Sequence, residues 1–280
     1  MDLATLIGLA GTLVVIVIVM IMDGGTPAEL FSHPSAMILI LGGSFLATTM
    51  TVPLDVALKL PKYIGLAFKQ KKVDLNEVIE LIARMADKAR REGLLALEEE
   101  SKKIDDTFLR KGIMLVVDGT DPAQVRTILE LDIEHMEERH AAGIGFFSAA
   151  GGFAPTFGII GTVMGLISVL KELDDPSKLA KSIAAAFLAT LWGLLSANLI
   201  WLPIGGKLQN RSSEEVTYRR MMMEGILSLQ AGENPRIIKE KLSTFLPPME
   251  RGTEGKKKGK PSSAPAKSPA AGKREAGGQA

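Results

Sequence analysis

The chain has 280 residues, 46% of them hydrophobic, and a formal charge of +1 at pH 7. It contains no cysteine, which excludes a disulfide framework and thiolate metal sites. The small net charge hides an imbalance: from Arg251 on, eight basic residues stand against Glu254 and Glu275, so this stretch carries +6 and the remainder −5.

Four stretches, 3–22, 34–52, 146–170 and 182–204, contain no Asp, Glu, Lys, Arg or His. Each approaches or exceeds the length a helix needs to cross a bilayer, and none shows the polar face of a globular core helix. The first is not a cleaved signal peptide by pattern, because Asp2 replaces a basic leader and the apolar run is too long. It is expected to remain in the mature chain.

Charge sets an expected topology. The connection 23–33 has Asp23 and Glu29 but no Lys or Arg, whereas Lys59, Lys62, Lys69, Lys71 and Lys72 follow the second span and Lys207 and Arg211 follow the fourth. The connection 171–181 is mixed, with Lys171, Lys178 and Lys181 against Glu172, Asp174 and Asp175. The positive-inside rule then puts both termini and the middle of the chain in the cytoplasm. The expected layout is two spans with a short periplasmic loop (1–53), a cytoplasmic helical domain (54–145), two more spans (146–204), cytoplasmic C-terminal helices (205–250) and a tail (251–280).

In the middle domain, Asp74 with Glu77 makes a capping-box-like helix start. Leu75, Val78, Ile79, Ile82, Met85, Ala86 and Ala89 recur at helical spacing, predicting a helix to about Lys103 with Gly93 as an irregularity. Asp121 as N-cap and Pro122 at the first helical position open another helix. It sets Val125, Ile128, Leu129, Ile133 and Met136 on one side and runs toward the third span. Residues 209–229 and 237–246 read as further helices, separated by Gly232 and Pro235. No strand alternation appears, so the fold class is an all-α polytopic membrane protein. The Gly, Ser, Ala, Pro and Lys content of the tail predicts a disordered basic segment, able to contact anionic membrane lipid.

Enzyme chemistry is not indicated. His135 and His140 lie five apart, off the spacing that puts two ligands on one helix face, so no metal site is assigned. No Walker loop, nucleotide fingerprint or nucleophile triad can be assembled, and no nucleic-acid partner or cofactor is expected. The distinctive features lie in the last two spans. Ala154, Gly158, Gly161 and Gly165 draw a stripe of small residues, and Ala186, Thr190, Gly193 and Ala197 draw a second. Such stripes let helices approach closely, either within one subunit or around another protein's helix. Thr162 lies beside the first stripe, and periodicity favours Thr162 and Thr190 each bonding a carbonyl four residues back. Pro155 and Pro203 leave the carbonyls of residues 151 and 199 without helix partners, which can kink a helix or coordinate a cation.

The run 154–166, APTFGIIGTVMGL, followed by 186–193, AFLATLWG, and Trp201-Leu202-Pro203, resembles the MotA/PomA family of flagellar stator subunits. So do the cytoplasmic stretch 85–98, MADKARREGLLALE, and Glu224-Gly225-Ile226, Asn234-Pro235 and Phe245-Leu246-Pro247. The resemblance covers everything except the tail. It implies a pentamer around a dimer of a single-span MotB/PomB-type partner whose membrane Asp binds the coupling ion, with torque passed to the rotor protein FliG. By motif position it implies that Arg90 and Glu98 engage FliG, with Arg91 and Glu99 beside them. It also implies that Pro155 and Pro203 couple ion binding to conformational change. Thr162 and Thr190 match hydroxyl positions near the ion path, the first pointing to sodium rather than proton. The separation of eight between Arg90 and Glu98 corresponds to about 80° around a helix, so both can face one partner. An ExbB/TolQ-like energiser is the nearest rival, but such proteins typically have three spans. A self-sufficient transporter fits poorly with uncharged, unbroken spans.

Overall fold

The computed structural model describes residues 3–68 and 74–248. Lys69, Lys71, Lys72 and the tail 251–280 lie outside the described residues, as does Asp2. Every regular element among the described residues is helical.

The first helix, α1 (Leu3–Met22), has 20 residues, about 30 Å at 1.5 Å per residue and so the thickness of a hydrocarbon core. It stops where Gly24 takes φ +80°, letting the Gly25 N–H reach the Met20 carbonyl at 2.9 Å. After a short turn of 3-10 helix (Pro27–Phe31), α2 (Pro34–Thr49) begins with proline at its first position and widens to a π-turn at Ile38–Gly42. Two short helices follow, α3 (Leu54–Leu58) and α4 (Leu60–Phe68).

The next helix, α5 (Leu75–Glu92), starts as expected, with the Asp74 carboxylate accepting the Asn76 N–H at 3.0 Å. It does not reach Lys103. Gly93 takes φ +90° and ψ 164°, a backbone region open essentially to glycine alone, and ends it. A 3-10 turn (Leu94–Ala96) leads into a separate helix, α6 (Leu97–Ser101). Then α7 (Thr107–Val117) is capped by Asp106, which accepts the Phe108 and Leu109 N–H groups at 2.9 Å each.

Among the described residues, two helices are long and apolar enough to cross a membrane: α8 (Pro122–Lys171, 50 residues) and α9 (Pro176–Gln230, 55 residues). The apolar helix α2 is shorter, Pro34–Thr49. Stretches 146–170 and 182–204 are thus not self-contained spans; each is the apolar part of a longer helix whose other part is polar. Asp121 caps α8 through the Ala123 N–H at 2.9 Å, as expected. A last helix, α10 (Pro235–Ser243), is capped by Asn234.

The polar parts meet in one core. Val125, Leu129, Ile133 and Met136 of α8 are buried, as are Ile79, Ile82 and Met85 of α5 and Met221, Met222 and Ile226 of α9. Close approach requires two glycines there: the Ile226 methyl fills the place of a Cβ on Gly112, and a Cβ on Gly225 would stand 2.8 Å from Ile82 Cδ1. Residues 75–145 and 205–243 therefore share one hydrophobic interior, although two apolar stretches separate them along the chain.

Candidate functional site

The two small-residue stripes face each other. A Cβ added to Gly161 would stand 2.6 Å from the Ala189 Cβ, and one on Gly165 2.6 Å from the Ala186 Cβ. One on Gly193 would stand 2.9 Å from the Ala154 carbonyl oxygen and 3.1 Å from Gly158 Cα. Ala154, Gly158, Gly161, Ala186, Gly193 and Ala197 are buried, and Ala197 packs with Ala36 and Ile40 of α2. Within the subunit the two stripes pack against each other, one of the two uses their spacing allows. Ala189, outside the stripe of 186, 190, 193 and 197, belongs to the same seam; its place three residues after Ala186 is the signal that marks it.

At the same seam the structure brings Thr162 and Thr190 together. The Thr162 hydroxyl donates to the Gly158 carbonyl at 3.0 Å, lies 3.2 Å from the Ala186 carbonyl, and is hydrogen-bonded to the Thr190 hydroxyl. The bond to the carbonyl four residues back is the one periodicity favours for Thr162. Both side chains are half-buried, so four oxygens from two helices converge on one point.

The prolines act differently. Helix α8 continues through Pro155. Before Pro203, α9 widens into a π-turn at Ala197–Trp201, and the Leu202 N–H reaches back five residues to the Ala197 carbonyl. The turns beside the two prolines touch: a Cβ on Gly151, four residues before Pro155, would stand 2.5 Å from Leu202 Cδ2. A further clasp had no sequence signal. Trp192 Nε1 donates to the Leu30 carbonyl at 2.8 Å, and its ring meets Phe31 edge-on at 5.8 Å.

Arg90, Arg91, Glu98 and Glu99 are all exposed, but they do not share one helix. Arg90 and Arg91 end α5 and Glu98 and Glu99 begin α6, so the angular argument for one continuous face fails. The turn at Gly93 joins the two pairs instead. Lys88 Nζ reaches Glu100 at 3.1 Å across that turn, and Lys103 reaches the same carboxylate at 3.2 Å. The hydrogen bond from Lys88, then that from Lys103, holds the Glu100 carboxyl below its usual range. Lys102 lies 3.0 Å from Glu99 and 3.3 Å from Glu98, and these carboxylates, Glu99 first, raise its proton affinity. His135 pairs with Glu138 and His140 with Ser212, each at 3.0 Å, so the two rings turn to different partners.

Residues 6–93 match the model of the motility protein A N-terminal region, and residues 100–221 match the MotA/TolQ/ExbB proton channel family. Motility protein A of Borreliella burgdorferi is 40% identical over 228 residues, 81% of this chain and 88% of that protein. The chain belongs to the motility protein A family. The fold agrees with two solved structures. C. jejuni MotAB superposes with a TM-score of 0.85 at 31% identity, over 90% of this chain and 98% of that one. The flagellar MotAB stator complex from Bacillus subtilis gives 0.82 at 37%, over 88% and 96%. This member is accordingly an inner-membrane stator subunit of the flagellar motor and not an enzyme.

Proposed function

We propose that this stator subunit works with a MotB/PomB-type single-span partner that supplies the membrane carboxylate. The observation that carries the reading is chemical: the apolar lengths of α1, α2, α8 and α9 contain no titratable side chain, whereas ion-moving membrane proteins usually hold one at mid-membrane. The solved relatives are MotAB complexes, which supports a second subunit as its source. In this reading all four apolar helices span the inner membrane with both termini cytoplasmic, and five copies surround the partner. The body formed by 75–145 and 205–243 passes torque to FliG through Arg90 and Glu98, with Arg91 and Glu99 beside them. Pro155 and Pro203 transmit the ion's effect through the contact of their adjoining turns.

Sodium is the coupling ion we favour over the proton. Thr162 and Thr190 gather hydroxyl oxygens beside the Gly158 and Ala186 carbonyls, and oxygens of this kind can replace waters around a cation. The transported ion is then the only small species the site handles. The test is flux into liposomes loaded with this chain alone and with its partner. Gradient-driven sodium flux is expected only with the partner present. Equal flux without it would sink the division of labour, and flux of protons but not sodium would reassign the ion.

A further inference from the structure

Four residues of α2 are buried, Ala36, Ile40, Ser44 and Thr48, and they follow at steps of four. In a regular α-helix twelve residues turn the last about 120° away from the first, too far for one face. The π-turn at Ile38–Gly42 takes up one extra residue, about 100° of that drift, and returns all four to the same side. Proline does not cause it, since none stands between Pro34 and Pro53. The widened turn goes with the burial of this one face against the bundle.

The face meets the seam between α8 and α9 from behind. Ile40 packs with Ala154 of α8 and with Ala189 and Ala197 of α9. Leu39 Cδ2 would lie 3.3 Å from a Cβ on Gly161, and the Phe157 ring 2.5 Å from one on Gly43. Gly161 and Ala189 each immediately precede a threonine of the hydroxyl pair. Close contact limits how near α8 and α9 can come, and the helix that packs on both limits how far they part.

A π-turn interrupts the regular ladder of backbone bonds, and inside a bilayer no water repairs it. Ser44 does so instead. Its hydroxyl, fully buried, donates to the Ile40 carbonyl at 2.6 Å and lies 3.3 Å from the Leu41 carbonyl. We propose that Ser44 is a positioning residue for the ion path. It holds the π-turn, the turn holds Leu39 and Ile40 on the seam, and the seam keeps the Thr162 and Thr190 hydroxyls together. This role rests on the reading of those two hydroxyls as the ion-handling groups.

The test is sodium flux into liposomes holding the chain and its partner, measured across a series of sodium concentrations. Ser44→Ala removes the hydroxyl and little volume. The half-saturating sodium concentration is expected to rise several-fold, with a smaller change in maximal flux. Ser44→Cys keeps a weaker donor and is expected to fall between Ser44→Ala and the parent. Thr49→Val is the control, because Thr49 donates to the Phe45 carbonyl at 2.8 Å in the same helix but outside the π-turn. Half-saturation should stay where it is in that variant; a shift equal to that of Ser44→Ala would overturn the role. Thr162→Ala, run beside them, separates the two assignments. If it shifts half-saturation and Ser44→Ala does not, the positioning role is overturned while the ion assignment stands. If Thr162→Ala leaves half-saturation unchanged, the ion assignment fails and the role of Ser44 falls with it. A drop in maximal flux alone from Ser44→Ala, in step with a lower unfolding temperature, would make Ser44 purely structural.

Discussion

The hydroxyls of Thr162 and Thr190 are hydrogen-bonded to each other across the seam between α8 and α9, with the Gly158 and Ala186 carbonyls within 3.2 Å of Thr162 Oγ1. Two helices held apart by ordinary side chains would not bring these groups together; glycine and alanine on both sides permit it. Replacing Thr162 by Ala removes one hydroxyl without adding volume. The expected cost in stability is about 1 kcal/mol, that of a half-buried hydrogen bond. Swimming speed should fall more steeply as sodium is lowered than in the parent, at equal protein level in the membrane. A sodium response unchanged by the substitution would separate Thr162 from the ion.

The closeness of the seam gives a second expectation. A methyl on Gly193 would stand 2.9 Å from a backbone oxygen of α8, which cannot rotate away as a flexible side chain can. Gly193→Ala should therefore destabilise the subunit by about 1–3 kcal/mol, the usual cost of overpacking. Thermal unfolding in detergent measures it. Gly8→Ala is the control, since nothing lies within 4 Å of a Cβ there.

At the cytoplasmic end, reversing both charges with Arg90→Glu and Glu98→Lys should impair motility while leaving membrane insertion and assembly intact, because both side chains are exposed. Torque of single tethered cells, read beside membrane protein level, checks it. Normal torque from the double reversal would make the pair ordinary surface.

Gly93 sets the geometry between those residues. Gly93→Ala puts a Cβ into a backbone region with φ +90°, at a cost of about 1–3 kcal/mol. If the turn matters for presenting Arg90 and Glu98, torque should fall even where thermal unfolding shows the body still folded.

Tyr218 supplies a pH test. Burial first, then the Asp106 carboxylate 3.4 Å away, pushes its phenol up from 10 to about 12. The folded chain thus holds this proton more tightly than the unfolded one, so the contribution is intact below pH 10 and is lost as pH rises toward 12. Tyr218→Phe has no proton to lose there. Between these limits its unfolding temperature should drop less than the parent's, and equal drops would refute the assignment.

The sequence by itself determined the chemistry of the membrane part: uncharged stretches, small-residue stripes and two prolines are statements about composition and spacing. It also placed the caps at Asp74 and Asp121, which depend on residues two or three positions away. The tertiary structure decided what the stripes pack against, because spacing on one helix marks a face but not its neighbour. Gly161 meets Ala189, and Thr162 meets Thr190, across a separation of 28 residues. It also decided that Gly93 ends a helix rather than bending it. Glycine is compatible with both outcomes, and the contact across the turn from Lys88 to Glu100 accompanies the one adopted. The joining of 75–145 with 205–243 was hidden for the same reason, since a shared interior is a property of contacts between distant segments.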